Sequence, residues 1–313
     1  MMNSRNNSLF HQRGGALIIL VLVLVLAGLG TVFSVLNGSE VKVEREKITA
    51  AALVEAKVAL LGRATADSNH PGSLPCPDNN SDGVAESTVT GPGGLCPSNI
   101  GRFPWKTLGT GPLLDGDGEL LWYVFSQNYR DHVMAEPING AVLGNLNVDG
   151  VTDHLAIILA ARSPISAQIA RPSNNVADYL EGENADGDFD FTKIESQIQN
   201  DRLITIGRAE LFSMVSQRIL REIRGDGTQG MIKYFNSNVV YPYADGNNDG
   251  NADLGVYVGT PSYQAGLNSL SFNATTRSML LDNGWFPLLN YTISAAQDSA
   301  VLSLNGKTLS ITP

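Results

Sequence analysis

Four histidines and two cysteines in 313 residues leave little material for a metal centre or a nucleophilic triad. The sequence has no HExxH helix, GxSxG elbow, phosphate-binding glycine loop or GxGxxG after a strand. The usual zinc-protease, hydrolase, nucleotidase and dinucleotide sites therefore have no support, and the chain is not expected to be an enzyme. His11 stands near the N-terminus, leaving His70, His132 and His154; the dipeptides Asp131-His132 and Asp153-His154 bring no third catalytic group with them. Basic runs are also missing. Lys and Arg total 21 against 31 Asp and Glu, a formal charge of -10, so nucleic acid is not expected as a partner, because phosphate binding needs clustered cations. Aromatics are 7% of the chain, and Trp105, Trp122 and Trp285 sit in apolar phrases that read as core. No internal repeat is apparent.

The two cysteines, Cys76 and Cys96, have 19 residues between them, in a stretch rich in Gly, Pro, Asn and Ser. In an exported domain they would most simply pair with each other; in a reducing compartment they would remain thiols. Without a matching histidine pair they make a poor zinc site.

What is abundant is one apolar run. No charge occurs from Gly14 to Ser39, and Ala16 to Leu36 are nearly all apolar, 21 positions in total. As a helix they span roughly 30 Å, the hydrocarbon thickness of a bilayer. The run is too long for the core of a cleavable signal peptide, and no clear small-x-small site follows it. Arg5 and Arg13 precede it, while "SEVKVEREK" follows with mixed charge. The positive-inside rule then puts the N-terminus in the cytoplasm and the rest outside. Beyond the run, Ile48, Ala51, Val54, Val58 and Leu61 recur at spacings of three and four, predicting an amphipathic continuation whose stripe packs on a domain. The expected organisation is a short leader over 1–14 and a stem helix over 15–65. The stem divides into a transmembrane part, 16–36, and an extension, 39–64. A globular domain follows over 66–313, with a weak subdivision near 200.

A charged leader ending in Gly, an apolar helix opening "GALII" and an amphipathic extension together resemble the N-terminus of type IV pilins and type II secretion pseudopilins. The resemblance implies cleavage by a prepilin peptidase between Gly14 and Gly15, or one residue later, with methylation of the new N-terminus. It also implies assembly with other pilin or pseudopilin subunits through the stem, from an inner-membrane position with the domain in the periplasm. Most of the family has Glu at the fifth mature position, where this chain has Ile19. That departure is similar to minor pilins and to the minor pseudopilin at the filament tip, and it implies a low-copy priming or capping subunit. A signal-anchored periplasmic ligand-binding domain that never polymerises is the alternative. Phrases such as "LPCPDNNSDG", "GRFPWKTLG" and "DGDGELLWYVFS" resemble stretches of uncharacterised bacterial prepilin-like proteins.

The remainder reads as an α+β domain with long loops and an antiparallel sheet. Strands are predicted over 119–126, 154–161 and 253–259, and a hairpin over 300–312 turning on Asn305-Gly306. A helix is predicted over 206–224, with Leu211, Met214 or Val215, Ile219 and Ile223 inward. Acidic, glycine-containing loops suggest calcium, a hard cation that takes several oxygens from a tight turn. The best is "DGNNDGNAD", with Asp245, Asn247, Asp249 and Asp253 at positions one, three, five and nine but Val256 at twelve. Asp78, Asn80 and Asp82 repeat the spacing, and "DGDGE" (Asp115, Asp117, Glu119) and "NADGDFD" (Asp186, Asp188, Asp190) are weaker.

Overall fold

A computed structural model describes residues 13–87, 95–131, 136–165, 168, 170–264 and 269–312, with the backbone alone over 13–38. The chain divides into two compact units, Met1–Ile48 and Thr49–Pro313. Residues on both sides of Asn200 therefore belong to one unit. Helix and sheet are mixed, and the fold is α+β. Helix α1 runs Arg13–Ala66. The side chains of the apolar run 16–36 lie outside the described residues; among the described residues no helix is long and apolar enough to cross a membrane.

The outer part of α1 does not bury the predicted stripe. Ala51 is exposed, as are Ile48, Val54 at 52% and Val58 at 63%, and only Leu61 of that set is buried. The buried face is Thr49, Ala52, Leu53, Ala56, Leu60 and Ala64. Its spacing is equally helical, but its members are mostly small. Small side chains let a helix lie close against its neighbours, and that closeness outweighs the larger hydrophobicity of the valines on the other side.

The first sheet has six strands: β1 (Ile100–Arg102), β2 (Trp122–Phe125), β3 (Leu146–Val148), β4 (Val151–Ala160), β5 (Asp190–Phe191) and β6 (Arg202–Gly207). Their order is β1-β2-β4-β3-β5, with β6 also on β4, and only the β3–β5 pair is parallel. β3 turns into β4 through Asp149 and Gly150, whose φ of 51° and 81° are those of a two-residue type I′ hairpin. Along β2 and β4 the side chains alternate between two cores. Tyr123, Phe125, Ala156 and Ile158 face one, and Trp122, Val124, Ile157 and Leu159 face the other with Tyr179 and Phe191. Both faces are covered, which explains why "HLAIILAA" reads as a continuous apolar run.

The second sheet is antiparallel in the order β10-β9-β8-β7, from β7 (Val258–Gly259), β8 (Asn290–Ile293), β9 (Ala300–Leu304) and β10 (Lys307–Ile311). Asn305 and Gly306 turn β9 into β10 with φ of 48° and 74°, as the sequence predicts. Helix α2 (Arg208–Arg224) packs against β9 and β10 and against β4 and β6, so it joins the two sheets. It buries Leu211, Phe212, Val215, Ile219 and Ile223, while Met214 is 43% exposed. Two shorter helices, α3 (Gly230–Asn238) and α4 (Ala274–Asp282), complete the unit. α4 opens on Asn273, whose side chain accepts the Thr276 N–H.

Candidate functional site

Gly14 and Gly15 lie in the first turn of α1. Farther along, the exposed face of Ala51, Val54 and Val58 has no covering element among the described residues of its unit. Glu44 and Lys47 form an exposed ion pair at 3.8 Å, and Lys57 joins α1 to α2 through Glu210 at 2.7 Å. At the end of α1 the guanidinium of Arg63 reaches Asp67 at 2.5 Å and Asp131 at 2.6 Å. Burial pushes the Asp67 carboxyl up, but N–H bonds from His70 and Asn69 and the guanidinium together hold it below the usual carboxylate range. Asp67, His70 and Asp131 stand close enough to share a metal ion, yet Arg63 already pairs with both carboxylates, so the group reads as a clasp for the helix end.

Two loops of the order D-x-N-x-D-G fold alike. Asp78 accepts the Ser81 N–H at 2.7 Å through Oδ1 and the Gly83 N–H at 2.6 Å through Oδ2. Asp245 accepts those of Asn248 and Gly250 in the same way, both at 2.6 Å. Ser81 and Asn248 take φ of 64° and 63°, and the closing glycines 82° and 89°. In each loop the Asn then caps the second Asp, Asn80 to Asp82 at 3.0 Å and Asn247 to Asp249 at 2.9 Å. The first Asp, 1% exposed in both, also pairs its backbone with a distant segment, Asp78 with Arg102 and Asp245 with Thr260. Asp253 closes the second loop by accepting the Gly246 N–H at 2.9 Å. N–H bonds from the Asn251 backbone and side chain hold the Asp249 carboxyl low.

The spacing fits the first half of a calcium loop, but both Asp245 oxygens are already engaged: Oδ1 accepts the Asn248 and Asp249 N–H groups, and Oδ2 accepts the Gly250 N–H and the Thr260 hydroxyl. Val256 supplies no bidentate carboxylate, and backbone amides by themselves already satisfy the buried Asp245. The two loops are a short local repeat, and their shared spacing is legible in the sequence.

The other acidic stretches serve differently. Asp115 accepts the N–H groups of Asp117, Glu119 and Arg162, tying its turn to the end of β4. Asp188 and Asp190 lie near Glu183 rather than forming a ring with Asp186. Burial, with Lys193 adding to it, pulls the His154 imidazole below its usual value; His132 lies outside the described residues.

Cys76 and Cys96 form a disulfide with Cα atoms 5.5 Å apart, both buried. Three further groups give no motif in the sequence because they come together only through the fold. Arg102 is stacked between Trp122 and Tyr179, Arg171 lies over Tyr179, and Glu181 meets Asp201 in a buried pair. Comparison with protein-family models, curated proteins and solved structures finds no match.

Proposed function

We propose that the chain is a minor pilin-like or pseudopilin-like structural subunit. It is anchored in the inner membrane by the run 16–36, with the unit Thr49–Pro313 in the periplasm. A prepilin peptidase removes its leader, the new N-terminus is methylated, and the helix then joins those of other subunits in a type IV pilus or type II secretion filament. Ile19 in place of an acidic residue supports a priming or capping position with few copies. The observation that carries the reading is the helix face of Ala51, Val54 and Val58. It is apolar and exposed, and it belongs to the same 54-residue helix that contains the membrane-length run. Such a face costs solubility unless a partner covers it, and a neighbouring stem helix has matching geometry. Transfer of the apolar part from lipid to a helix bundle costs little, because both surroundings are apolar.

The test is a Val54→Asp, Val58→Asp double variant. Both positions face solvent and Asp is close to Val in helix propensity, so stability should change by less than about 1 kcal/mol. The variant should mature normally yet be lost from sheared filaments or their initiating complex. Incorporation at the parent level would contradict the reading.

A further inference from the structure

Two residues decide what can cover the exposed face of α1. Ala51, Glu55, Val58 and Gly62 follow one another at spacings of four, three and four, so they share one side of the helix with Val54 beside them, and all five are exposed. Gly62 stands in the helix interior, where glycine is the least favourable residue after proline. Its own unit does not require it: an added Cβ would meet no atom of the described residues within 4 Å, and its φ is not left-handed. What the missing side chain provides is room for a second backbone, because the distance between packed helices is set by the side chains at their contact.

Glu55 adds a charge to the same face. It makes no ion pair or hydrogen bond among the described residues, which costs nothing in water. A cover that reached Val54 and Val58 would strip its hydration, and a lone buried carboxylate is expensive unless a cation meets it. The matching stretch of a second copy has no uncommitted cation to offer. Between Thr49 and Ala66 the cations are Lys57 and Arg63. Lys57 pairs with Glu210 at 2.7 Å and donates to the Thr205 carbonyl at 2.9 Å, and Arg63 is held by Asp67 and Asp131.

We propose that the occupant of this face is the stem helix of a different subunit, which sets a Lys or Arg opposite Glu55 and comes closest to α1 at Gly62. The inference rests on the filament reading above and names the chemistry of the partner.

The test scores incorporation into sheared filaments or their initiating complex, and Tm of the full-length protein in detergent. Gly62→Leu should keep or raise Tm, because leucine is the better helix former and has open space there, yet lower incorporation about tenfold. Glu55→Lys should lower incorporation about tenfold by setting like charges together. Glu55→Gln should lower it by less, about threefold, because it leaves the partner's cation unpaired without repelling it. A photoreactive p-benzoylphenylalanine at Val58 should cross-link to a different subunit. A cross-linked homodimer, or parent-level incorporation of either Gly62→Leu or Glu55→Lys while the Val54→Asp, Val58→Asp variant is lost, would overturn the proposal and leave the filament reading standing. Parent-level incorporation of all these variants would overturn both.

Discussion

At pH 8 an Asp201→Asn variant should be more stable than the parent, and its advantage should vanish near pH 4. Asp201 is 2% exposed and Glu181 5% exposed. Asp201 Oδ2 accepts the Glu181 N–H at 3.0 Å and the Asn184 amide at 3.2 Å, and Glu181 Oε2 accepts the Asn200 N–H at 3.1 Å. The other oxygens, Asp201 Oδ1 and Glu181 Oε1, are buried without a donor. Two acceptors in contact need a proton between them. Burial, with the Glu181 charge adding to it and the Glu181 and Asn184 N–H bonds opposing, raises the Asp201 carboxyl to about 8. The neighbouring cations are engaged with other groups: Arg162 donates to the Asn200 carbonyl, and Arg202 pairs with Glu195.

Because the folded value lies above the unfolded one, native protein retains a proton that unfolded chain has released. The contribution is complete below about pH 4 and is lost as the pH rises to about 8. Each pH unit between the two values is worth about 1.4 kcal/mol, so the loss across that window is on the order of a few kcal/mol. Asparagine keeps the accepting oxygen and replaces the proton with an amide donor, so its stability should be nearly flat. Denaturant unfolding at pH 4.5, 6 and 8 reads the difference, and parallel curves for parent and variant would refute the shared proton.

Breaking the disulfide should have an effect of similar size. Cys76 and Cys96 are separated by 20 positions, and releasing a loop of that length costs about 3 kcal/mol through the entropy regained by the unfolded chain. For a unit of this size that corresponds to a fall in Tm of roughly 6 to 12 °C. The loop contains the Asp78 turn, whose pairing with Arg102 anchors it to β1, so a Cys76→Ser, Cys96→Ser variant should also loosen the Arg102 end of β1. An unchanged Tm after reduction, with both thiols confirmed by mass, would contradict this.

Local signals in the sequence translated directly into structure. Asn305-Gly306 and the flanking alternation identify the β9–β10 hairpin, and the apolar period of α2 places Leu211, Ile219 and Ile223 inside. Asp149-Gly150 carried the same turn signal for β3 and β4 and was equally readable. Non-local features were hidden. The buried side of α1 could not be chosen from spacing, since Ala52, Ala56 and Ala64 gain burial through close approach rather than through size. Arg102, Trp122 and Tyr179 come from three separate segments, and Glu181 and Asp201 lie 20 residues apart with no motif linking them. The calcium spacing at Asp245 was legible, but the sequence did not reveal that backbone amides already hold the buried carboxylate.

The central claim is that α1 is a processed filament stem, and the mass of the protein from cells with and without prepilin peptidase tests it most directly. Loss of residues 1–14, or 1–15, with one added methyl group only when the peptidase is present is the predicted result. An intact N-terminus in cells that mature their other prepilins would contradict it.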